Sequence, residues 1–246
     1  MLELDYSAAS APIRSDLQGS HREILEHLRS PGTWWTGAER MAIAAESRAA
    51  AGCALCRERK AAISPNAVAG EHDGEGRLPS HVVDVIHRIR TDSGRLSKAW
   101  FDEVTGADLD VAKYVELVGV VTLTAGLDYF AAALGIPLFA LPEPLAGEPS
   151  RHVPAGLTEG EAWVPMLDPT NVSGPDADVF GPSAFVPNIV RSLSSVPDQV
   201  RALRANASSH YFDVETMSDP TARRDLDRLQ IELVAARVSA MNECFY

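Results

Sequence analysis

Residues 232–246 read ELVAARVSAMNECFY. Leu233, Val234, Ala236, Val238, Ala240 and Met241 recur there at helical spacing, with neither Pro nor Gly to interrupt them. Glu232 lies twelve residues before Cys244. That is a little over three turns at about 3.6 residues per turn, so both can share one helix face. A carboxylate beside a thiol on an apolar helix is suited to moving the sulfur's proton. The plainer alternative is a surface Glu and an inert, buried Cys. Both alternatives need a helix, and the same period read upstream decides the fold class.

It recurs. Ile13, Leu17, Ile24, Leu25 and Leu28 predict a helix over 12–30, stopped by Ser30-Pro31-Gly32. Thr36, with Glu39 three residues on, is a capping-box signature for an Ala-rich helix over 37–62, with Cys53 and Cys56 near its C-terminal end. Val82, Val83, Val85, Ile86 and Ile89 form the next apolar face, and Leu96–Val104 makes a short helix with Trp100 and Phe101. Val111–Leu134 reads as a long, buried helix of the core or of an oligomer interface. Residues 137–187 hold most of the chain's prolines and little periodicity, which predicts a long connection. Helical patterning resumes over Val186–Leu193, continues over Pro197–Leu203, and predicts a last helix over Leu226–Tyr246. The expected organisation is an N-terminal helical module (1–136), a Pro/Gly-rich connection (137–186) and a C-terminal helical module (187–246). Glu116 and Asp128 repeat the separation of Glu232 and Cys244, which suggests an internally duplicated helical module.

The letters of the last stretch go further. Glu-Leu-Val, Arg-Val-Ser and Asn242-Glu-Cys244-Phe-Tyr246 resemble the core motif of the AhpD-like (alkylhydroperoxidase D) family, within the carboxymuconolactone decarboxylase superfamily. In that family a helix carries a Glu, then Cys-x-x-Cys twelve residues on, then a His four residues after the second Cys. Glu232 and Cys244 match the first two positions, and Asn242 and Tyr246 suit the letters around them. The second Cys would be residue 247 and the His residue 251, but the sequence ends at Tyr246. That ending is expected of a fragment boundary, or of a UGA codon at which some relatives insert selenocysteine.

The resemblance implies an all-α, AhpD-like helical bundle in a homo-oligomer, trimeric or hexameric. It implies an oxidoreductase: a thiol-dependent peroxidase or disulfide exchanger, impaired in the chain as it stands. Its partners would be a small-molecule hydroperoxide and a thiol or disulfide reductant, with no cofactor and no metal. Cys244 would be the resolving thiol, Glu232 the proton relay and Tyr246 a hydrogen-bonding neighbour. Two other readings stay open: a cofactor-free decarboxylase of the same superfamily, and a catalytically silent helical interaction protein.

Cys53-x-x-Cys56 is the one complete dithiol. Positions i and i+3 share a helix face, so the thiols can meet. The pattern departs from the family's: Lys60 stands where the His belongs, and Met41 where the Glu belongs, with Glu39 and Glu46 near but out of register. A divergent redox pair, two small core residues and a metal site all remain possible. Four-ligand zinc usually draws on a second paired set, and only His72, His81 and His87 are scattered nearby. His72, beside Asp73 in a Gly-rich loop, is a candidate proton carrier for these thiols.

The whole chain sets bounds. A net charge of −12 argues against nucleic acid or an anionic membrane surface as partner. No run of eighteen apolar residues predicts a membrane span, and the acidic N-terminus does not read as a secretory signal. Three cysteines make no disulfide framework, and a cytoplasmic, reducing location is expected.

Overall fold

The computed structural model describes residues 2–106, 109–181, 186–217, 219–242 and 244. They form an all-α fold, as the helical period predicts; the only strands among them are a two-residue antiparallel pair, Leu157–Thr158 with Met166–Leu167. The helices are α1 (Ser15–Arg29), α2 (Gly37–Ala50), α3 (Ala54–Ala61), α4 (Ser80–Asp92), α5 (Lys98–Gly106), α6 (Val111–Leu134), α7 (Asn188–Arg191), α8 (Pro197–His210), α9 (Val214–Met217) and α10 (Arg228–Met241).

The core is built around α6, which keeps the bounds read from the sequence. Asp110 accepts the Ala112 N–H at 2.8 Å and starts it; Gly135, at φ 68, supplies the left-handed conformation that ends it. Leu117, Val120, Val121, Leu123 and Leu127 are buried, and α2 and α4 are the helix's main neighbours. By length and composition α6 could cross a membrane, with a mean hydropathy of 1.7 over its best window. In this fold it is instead the central helix. Its two carboxylates are held by α2: Arg48 is bidentate on Asp128, Nη2 to Oδ1 at 2.7 Å and Nε to Oδ2 at 3.1 Å, and Arg40 Nε lies 3.6 Å from Glu116. The Trp34 N–H also donates to Glu116, at 2.6 Å. The pair that suggested a duplicated helical module therefore makes buried structural contacts.

The helix expected over 37–62 is two helices. The Thr36–Glu39 capping box opens α2 as expected. The N–H groups of Ala51, Gly52 and Cys53 then bond three residues back, tightening the chain out of the α-helix. Gly52, weak in any helix, sits in this turn, and Asp73 takes the Ala54 N–H at 2.9 Å to open α3. Cys53 is thus the N-cap of α3, which corrects its expected place at a helix C-terminal end.

At the other end, α10 is opened by a capping box of Asp227 and Gln230 and buries no residue. Leu229 and Leu233 are 81% and 72% exposed. The Pro-rich segment carries Phe139, Val164, Met166, Leu167, Val179 and Phe180 into the core.

Candidate functional site

The turn between α2 and α3 places Cys53 and Cys56 one helical turn apart at the start of α3, both buried and both free thiols. Two histidines face them. His72, from the loop before α4, directs Nδ1 at both sulfurs, 3.5 Å from Cys53 Sγ and 3.6 Å from Cys56 Sγ. His87, on the buried face of α4, places Nδ1 3.2 Å from Cys56 Sγ. The two rings lie 4.1 Å apart, centroid to centroid.

Each imidazole is held from behind by a carboxylate. His72 Nε2 lies 2.9 Å from Asp84 Oδ1, and His87 Nε2 lies 2.8 Å from Glu46 Oε1. Arg59 Nη1 donates to Asp84 at 2.5 Å, and the Glu75 N–H donates to Glu46 at 2.9 Å. The loop reaches Glu46 because residue 74 is glycine: a Cβ there would sit 2.5 Å from Glu46 Oε1. With both Nε2 atoms committed to carboxylates, both Nδ1 atoms are left for the sulfurs.

Charge follows this arrangement. Burial works against a charged His72, but its bonds to Asp84 and the two sulfurs outweigh burial and push its pKa up to about 10. Burial also resists ionisation of Asp84, yet His72 and Arg59 hold it down at about 2. For Cys53, burial disfavours the thiolate; the Cys56 N–H, His72 and the Asp73 N–H outweigh it and hold the thiol below its ordinary range. His87 goes the other way, lowered chiefly by burial although Glu46 opposes this. The cluster therefore favours a thiolate–imidazolium pair at Cys53 and His72, beside a neutral His87. A surface cavity of about 380 Å³, lined by His72, Gly74 and Asp84 among others, opens onto the His72 side.

The C-terminal set is placed differently. Glu232, half-buried on α10, takes the Tyr211 hydroxyl and pairs with Arg228 at 2.7 Å. Cys244 is exposed and lies past the end of α10 at Met241, so the helix face expected to carry both residues does not extend to it. Tyr246 lies outside the described residues. His81 is exposed and takes no part in the thiol cluster.

Sequence reading singled out Cys53, Cys56 and His72 and named His87 only among the scattered histidines available to a metal, but it set Glu46 aside as out of register and did not name Asp84. A usable signal existed: a Glu inside the Ala-rich face of α2 and a His following Val85-Ile86 are polar groups that a core tolerates only when partnered. A scan of protein-family models and searches of curated proteins and of solved structures find no match to this chain.

Proposed function

We propose that the protein is a thiol-dependent oxidoreductase of the peroxidase or disulfide-exchange type, with Cys53 and Cys56 as the working pair. The observation that carries the reading is the chain Glu46–His87–Cys56, with bonds of 2.8 and 3.2 Å. One carboxylate, one imidazole and two thiols are the side chains that the AhpD-like motif requires. Here they come together from α2, α3 and α4.

In the cycle, one thiolate attacks the outer oxygen of a hydroperoxide. The O–O bond breaks, the sulfur becomes a sulfenic acid, and the alkoxide leaves as the alcohol after protonation. The second thiol displaces hydroxide from the sulfenic acid, giving the disulfide and water. An external dithiol returns both sulfurs to thiols and is itself oxidised. His72, backed by Asp84, holds the attacking thiolate at Cys53, the start of α3 favours that thiolate, and the neutral His87, backed by Glu46, takes the proton of Cys56 as Cys56 displaces hydroxide.

The test is treatment of the reduced chain with diamide or an organic hydroperoxide, followed by alkylation and mass spectrometry. The expected product is a Cys53–Cys56 disulfide that dithiothreitol reverses. Two thiols still alkylatable after treatment would end the reading.

A further inference from the structure

We propose that Cys53, Cys56, His72 and His87 bind one zinc(II) ion in a closed, tetrahedral Cys2His2 centre. The inference goes beyond the redox reading and does not rest on it, since it needs only these four donors.

Distance is the first argument. The four donor atoms all lie within 4.8 Å of one another. Zinc binds thiolate sulfur at about 2.3 Å and imidazole nitrogen at about 2.0–2.1 Å. A tetrahedron with those arms has sulfur-to-nitrogen edges of about 3.5–3.6 Å. The observed edges to His72 are 3.5 and 3.6 Å, and that from Cys56 to His87 is 3.2 Å.

Equivalence is the second. One proton between His72 and the thiols would draw the ring toward a single sulfur. His72 Nδ1 stands nearly equidistant from both, which suits a cation at the centre better than one S–H to N hydrogen bond.

The third is the outer ring. Zinc-bound histidines usually pass their other N–H to a carboxylate, which fixes the tautomer and strengthens the ligand. Both histidines do so here, to Asp84 and to Glu46. Two thiolates and two imidazoles in a tetrahedron select zinc over harder cations. Cys53 and His87 are fully buried and Cys56 is 4% exposed. With four protein ligands and no open position, the ion would be structural, tying α3 and the long loop to α4. Zinc-bound thiolates and a Cys53–Cys56 disulfide are then mutually exclusive states of one sulfur pair.

The experiment is titration of the reduced full-length chain with Co(II), read by optical absorption, followed by displacement with Zn(II). The expected result is one ion per chain, with thiolate charge-transfer bands and the strong ligand-field bands of tetrahedral Co(II), both removed by zinc. Cys56→Ser should abolish these bands. Glu46→Gln keeps all four ligands and should weaken zinc binding by about 10- to 100-fold. A helical, reduced wild-type chain without the bands overturns the inference, as does a helical Cys56→Ser chain that keeps them. A reversible disulfide without metal binding leaves the redox reading standing and removes this one; metal binding without a disulfide does the reverse.

Discussion

Two pairs of histidines are packed in this fold, and they differ in what holds the far side of each ring. At His72 and His87 both Nε2 atoms meet carboxylates, so both Nδ1 atoms converge on sulfur. At His21 and His210 the rings use up their nitrogens on each other and on neutral groups. His210 Nδ1 donates to the Asn206 carbonyl at 3.0 Å, so its Nε2 carries a lone pair. His21 Nε2 donates to that lone pair at 2.9 Å, and His21 Nδ1 accepts the Tyr6 hydroxyl at 2.8 Å. Phe130 and Phe139 close over the chain of bonds. One pair is backed by carboxylates and turned toward sulfur, with His72 favoured as the charged ring, and the other is closed off from charge. The backing group distinguishes a site from a strut.

The sharpest way to break this comparison is at the sulfurs. Replacing Cys53 and Cys56 together by Ser should remove hydroperoxide turnover by about 100-fold or more, measured as alcohol formed per chain. The His21–His210 pair should be untouched, with its imidazole proton signals unmoved in NMR spectra. A smaller effect is expected from Asp84→Asn, which weakens the support of the more open histidine. Zinc affinity should fall by about 10-fold, less than for a change at the fully buried Glu46, and competition with a chromophoric chelator would rank the two.

Next comes acid. Folding lowers the pKa of His21 from 6.5 to about 4, through burial first and then His210 and Arg22; burial lowers His210 as well. The unfolded chain therefore takes up protons that the folded chain refuses. This contribution to stability is complete above about pH 6.5 and drains away as pH falls toward 4. Melting temperatures should decline through that window, and a flat profile would show that the pair is not protected from charge. Tyr6→Phe removes one bond from this chain and should cost about 1 kcal/mol in urea unfolding at pH 7. The least effect is expected at Glu232. Glu232→Gln on the exposed α10 should change stability by no more than about 0.5 kcal/mol and leave diamide oxidation of Cys53 and Cys56 as it was.

Much of the fold could be read because its signals are local. Val111–Leu134 announces itself by a long, largely apolar run between an Asp cap and a Gly stop, and Thr36 with Glu39 marks the start of α2. The break at 51–53 was missed because its cause is remote: Asp73, nineteen residues from Ala54, supplies the cap. The site was half legible for the same reason. Cys53 and Cys56 stand out by spacing alone. Glu46, Asp84 and His87 come from helices whose mutual rotation no local pattern encodes. The twelve-residue separation of Glu116 and Asp128 was visible, but their arginine partners on α2 were not, and those partners decide what the carboxylates do.

Those arginines bear on the fate of the site. Arg40 and Arg48 grip α6 on either side of Glu46, like two pins through a sliding rule. Buried ion pairs add little net stability, yet breaking one is costly, so together they resist translation of α2 along its neighbour. A slip of one helical turn would carry Glu46 about 5.4 Å, well beyond reach of His87. Alignment of the thiol cluster is thus set from the opposite side of α2, and drift there would misalign the site without altering any residue in it.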